Sequence, residues 1–217
     1  VFTTHINNNP VSVSNADTLK ALAKVTVKGY VGTATGAKLT SFNGVLNPTV
    51  FNKEQQITCL GNDPASVTSL GPFKFKQQKN IIFKGKVQVT NGDFQFSFIV
   101  PKDIAYSYDL GKFSYYAHNG VQDAAGYNNN FYVGGSASNL IPDNAGPAVN
   151  LYMNDKKFVT GGTTNEKPNI YAEVSDSSGI NTVGTGIGHD ITAILDENSS
   201  KPIILNDYYE ANLNSYQ

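Results

Sequence analysis

His189 stands beside Asp190 in GTGIGHDITAILD, residues 184–196, in a chain of 217 residues with three histidines and one cysteine, Cys59. A histidine flanked by glycines has the look of a general base in a hydrolase, which also needs a nucleophile within hydrogen-bond reach and an oxyanion hole. Cys59 is the thiol available, in QQITCLGND, far from His189 in sequence. That strand-like setting reads as a small buried hydrophobe, because a reactive thiolate needs electropositive surroundings that this stretch does not offer. Side chains at consecutive strand positions point to opposite faces, so His189 and Asp190 do not converge if the strand starts there. The competing reading is a turn before a strand, with glycines supplying positive φ and Asp190 capping backbone amides. It is the better one, and no catalytic, cofactor-binding or metal-binding residue is assigned.

Two other stretches have oxygen donors. DSSGIN (176–181) and DNAG (143–146) carry carboxylates, yet neither has the acidic density or spacing of a calcium loop, and both read as turns. YNNN (127–130), with Tyr115, Tyr116 and Tyr132, offers rings for stacking on a sugar. Sandwich strands also carry such rings for packing, and the lack of tryptophan weakens the carbohydrate reading.

These residues must be held by β structure. Phe and Tyr number 12 each while charged residues make up 15%, a profile of twisted sheets and not of helical bundles. FKGKVQVTNGDFQFSFIV (83–100) sets Asn91-Gly92 between two alternating runs, which predicts a type I′ hairpin pairing Val89 with Phe94 and Val87 with Phe96, ended by Pro101. Strands are also expected at 24–32, 44–51, 111–119 and 129–135, with one helical turn at DTLKAL (17–22) capped by Asp17. NLIPDNAGPAV (139–149) has the composition of a linker. Strands follow at 148–154, 169–176, 190–196 and 201–206. The fold class is all-β: two immunoglobulin-like Greek-key sandwich modules, residues 1–140 and 141–217. The second is incomplete by length, since it has about 75 residues where roughly 100 are usual.

The charge balance excludes some partners. Sixteen cationic residues, all lysine, nearly cancel 17 acidic ones to a net charge of -1. Without that field, and without arginine's planar fork, nucleic acid is set aside. No apolar run reaches membrane-spanning length, and VFTTHINNNP has no basic or apolar leader pattern, so the expectation is a piece of a longer protein.

The stretches TTHIN (3–7), DTLKALAKVTVKG (17–29), SFNGVLNPTVF (41–51), FKGKVQVTNGDFQFSFIVPKDI (83–104), DAAGY (123–127) and VSDSSGINTVGTGIGHDITAILDENSSKPIILNDYY (174–209) resemble one family in this order. The resemblance is to the region after the catalytic domain of the gingipain-like cysteine peptidase that serves as sortase of the type IX secretion system in Bacteroidetes. It implies a parent exported to the outer-membrane surface, where it removes cargo C-terminal signals by cysteine–histidine chemistry. The resemblance places both catalytic residues in a domain ahead of Val1, so none carries over to this chain, His189 included. The implied role is a non-catalytic accessory region. Its candidate partners are the parent's catalytic domain, an outer-membrane companion protein and the cargo secretion signal. The alternatives are a carbohydrate-binding or adhesive module, and a small hydrolase using His189.

Overall fold

A computed structural model describes residues 1–62, 64–104, 106–138, 145–182 and 190–215, without the side chains of Ala65 and Ser66. The Asn91-Gly92 turn forms as its residues require: both φ angles are positive, 52° and 80°, and Thr90 and Asp93 exchange backbone hydrogen bonds of 2.9 Å. The ladder expected beyond it does not form. β9 (Val87–Val89) pairs with β5 (Gly44–Phe51), whereas β10 (Asp93–Ile99) pairs with β4 (Lys24–Tyr30), setting Phe96 opposite Val27 instead of Val87. Alternation fixes which face of each strand is apolar, but both apolar faces can be buried by parting the strands into two layers with the core between them.

The first layer has the order β10-β4-β1-β2, with β1 at Phe2–Ile6 and β2 at Asn9–Pro10. The second runs β13-β12-β5-β8, with β13 at Asp123–Asn128, β12 at Lys112–His118 and β8 at Ile81–Lys84, and β9 continues beside β5. Rings meet across the layers: Phe96 sits edge-on to Phe113 with centroids 6.5 Å apart, Phe94 lies 5.7 Å from Tyr115 and Phe83 stacks on Phe98 at 5.0 Å. A third sheet joins β11 (Asp109–Leu110), β14 (Phe131–Ser136) and β3 (Asp17–Ala21), and Phe131 stacks on Phe113 at 4.3 Å.

The helical turn expected at 17–22 is this β3, paired in parallel with β14. Leu19 and Ala21 point the same way and are fully buried, which a strand with period two achieves. Asp17 accepts a hydrogen bond from the Thr18 amide at 2.7 Å and caps no helix.

Pro48 lies buried in the middle of β5, between β12 and the neighbouring edge. It has no N–H to give, and the strand alongside is broken where it faces Pro48, at Gly85 and Lys86 between β8 and β9. Residues 211–214 enter that notch. Ala211 donates to the Lys84 carbonyl and Asn214 to that of Lys86, each at 2.9 Å, while the Gln88 amide donates to Asn214 Oδ1 at 2.9 Å.

Between these segments the chain forms two separate hairpins. β15 (Ala148–Met153) pairs with β16 (Ile170–Ser175), and β17 (Thr192–Ala193) with β18 (Ile203–Ile204), ahead of a 3-10 turn at Asn206–Tyr208. One more hairpin, β6 (Gln55–Thr58) with β7 (Lys74–Gln77), carries the short helix α1 (Pro64–Leu70) at its end. The fold is an all-β sandwich, as the composition leads one to expect.

Candidate interaction surface

His189 lies outside the described residues, as do Asp143 and Asn144. Asp190 is exposed at the start of the segment leading to β17. Cys59 is exposed, not buried: it follows β6, on a hairpin that no second layer covers among the described residues, and its amide donates to the Phe73 carbonyl at 2.9 Å. DSSGIN is a turn, with Asp176 Oδ1 accepting from the Ser178 amide at 2.8 Å and its hydroxyl at 2.7 Å, and Gly179 at φ 82°. Among the described residues no group of three or more His, Cys, Asp or Glu side chains could hold a metal ion.

The tyrosines divide. Tyr115 belongs to the core at 3% exposure; its hydroxyl and that of Thr3 are 2.8 Å apart, and burial drives its pKa up. It is no sugar platform. Tyr116 and Tyr127 lie on the outer face of β12 and β13 and are exposed, Tyr116 stacking on His118 at 5.8 Å. Tyr132 is exposed on β14, in the other sheet.

Among the described residues one charged side chain is buried. Lys53, at 8% exposure, donates from Nζ to the Ser107 carbonyl beneath the 102–109 loop, in a cavity of about 710 Å³ that Asp103, Tyr106 and Tyr108 also line. Desolvation pulls its amine below the ordinary lysine value, and the nearby Asp109 carboxylate opposes that shift. The bond to the Ser107 carbonyl ties that segment to the end of β5.

An exposed apolar face lies on the β15–β16 hairpin. Register sets Val149 opposite Val174, Leu151 opposite Ala172 and Met153 opposite Ile170, so all six residues of one face are apolar. Val149, Leu151 and Ile170 are 63%, 55% and 52% exposed. The reverse face carries Asn150, Glu173, Tyr152 and Tyr171, and Lys156 pairs with Glu173. The groove between this hairpin and the residues around β18 has a volume of about 600 Å³ and is lined by Ile170, Ala172, Val174, Ile203, Leu205 and Ala211, among others. Alternation in AVNLYM and IYAEVS signals such a face in the sequence; whether anything covers it has no local signal. Contiguous exposed apolar surface of this kind marks interaction sites.

No family model and no curated protein matches the chain. A solved structure does: the crystal structure of dimeric latent PorU from Porphyromonas gingivalis, at 31% identity and a TM-score of 0.60, over 95% of this chain and 19% of that one. The chain therefore spans less than a fifth of the length of the protein it matches, and it is a PorU-like region with an all-β fold.

Proposed function

We propose that the chain is a non-catalytic accessory region of a cell-surface type IX secretion sortase, a gingipain-like cysteine peptidase acting on cargo C-terminal signals. In this reading residues 1–140 are one sandwich module and 141–217 a second, incomplete one. The apolar face of β15–β16 is then where the rest of the parent, foremost its catalytic domain, docks. An outer-membrane companion protein or the cargo signal would contact the same assembly at the outer surface. The observation that carries the proposal is the similarity to PorU along nearly the whole chain, joined to a hairpin face left open at Val149, Leu151 and Ile170.

Signal removal from a cargo protein tests it. The chain alone should give no turnover, the full-length parent should keep its activity with His189→Ala, and Leu151→Asp in that parent should lower it by weakening docking. Cleavage by the isolated chain, lost on His189→Ala, would overturn the proposal and favour a small hydrolase. A second reading, glycan binding, is favoured by the exposure of Tyr116 and Tyr127 on one sheet face. Saturable binding to a defined polysaccharide, lost on Tyr116→Ala or Tyr127→Ala, would support it.

A further inference from the structure

The β6–β7 hairpin stands apart from the sandwich: among the described residues its strands pair only with each other, and all four residues of β7 are exposed on both faces. Register opposes Ile57 to Phe75, and the Cys59 amide reaches the Phe73 carbonyl, so Ile57, Cys59, Phe73 and Phe75 share one face. Gln56, Thr58, Lys74 and Lys76 occupy the other. Beyond the strands, α1 ends at Gly71, which has φ 72° and donates to the Val67 carbonyl at 2.9 Å. At this end Leu60 is 92% exposed, Leu70 87% and Phe73 71%, and the Phe73 and Phe75 rings stack at 6.3 Å.

Charge selects the occupant. Lys74 and Lys76 lie on the face opposite the apolar one, and between residues 55 and 80 Asp63 is the one acidic residue in the sequence. Glu54 at the base lies 3.8 Å from Lys76, both exposed. A protein groove would cover the apolar face and leave the lysine face without a role. An anionic lipid surface uses both, since leucine and phenylalanine enter the boundary between headgroups and acyl chains while lysine stems reach back to the phosphates.

We propose that the β6–α1–β7 finger binds anionic lipid surfaces, inserting Leu60, Leu70 and Phe73 and holding Lys74 and Lys76 at headgroup level. This site is independent of the β15–β16 face and of the parent's activity. Co-sedimentation of this chain with vesicles of phosphatidylcholine, alone or mixed with phosphatidylglycerol, tests it. Binding is expected to the mixed vesicles, with loss of binding in Leu70→Asp/Phe73→Asp and a weakening of about tenfold or more in Lys74→Gln/Lys76→Gln. All four positions are exposed, so the variants should melt with the unmodified chain, which separates lost binding from lost folding. No binding to mixed vesicles, equal binding to both compositions, or binding unchanged by the aspartate pair would overturn the proposal.

Discussion

Phe113 and Leu151 both sit in strands of alternating pattern, yet Phe113 has no exposed surface and Leu151 is 55% exposed. The difference lies in what stands opposite. Phe113 on β12 faces Phe96 from the other layer and Phe131 from the third sheet, so three sheets share one core. Leu151 belongs to a two-stranded sheet with no second layer on its apolar side among the described residues. Hairpins of this size have marginal stability alone, and apolar area contributes only when water is removed from it, at about 25 cal/mol per Å². Among the described residues after 138, Ala211 alone belongs to the buried core, and it does so through the break opposite Pro48. A polar-apolar period therefore makes a strand amphipathic, while a second layer makes it stable.

Substitutions should separate the two regions by size of effect. Phe113→Ala should cost about 3–5 kcal/mol by leaving a cavity between three rings, read as a drop in the urea midpoint. Ala211→Leu should cost about 1–3 kcal/mol, because Ala211 is buried at its bridge to Gly85, with its side chain close beside that glycine, and a larger one overfills the notch. Asn214→Ala should cost about 1 kcal/mol through the bond to the Gln88 amide. Leu151→Ala in this chain should change stability by less than about 0.5 kcal/mol, since little burial is lost. A loss as large as that of Phe113→Ala would mean that the β15–β16 face is already covered, and the contrast would collapse.

Lys53 gives a smaller, pH-dependent effect. Its folded amine titrates below the ordinary value of 10.5, so just under that value the unfolded chain binds more protons and stability rises with pH. Lys53→Met should remove this part of the rise. An identical pH profile for the two proteins would show that burial does not penalise the charged amine.

Turn chemistry was legible in the sequence: Asn91-Gly92 and DSSGIN dictate their own backbone geometry. Strand positions such as 44–51 were equally so, because alternation is local. Partners were not. β3 finds its parallel neighbour β14 more than a hundred residues away, and five residues of DTLKA do not tell a strand from a helical turn. The parting of β9 from β10 depends on β5 and β4, whose claim on those edges is tertiary. Cys59 was misread for a related reason: ITCLG is apolar either way, and its exposure follows from a hairpin that stands off the sandwich.

Docking of the parent on the β15–β16 face is tested most directly by amide hydrogen exchange, measured in this chain alone and in the full-length parent. Exchange at residues 148–153 and 170–175 should be fast in the chain and slowed at least tenfold in the parent, while β12 and β5 exchange slowly in both. Equal exchange of the hairpin in the two proteins would contradict docking at that face.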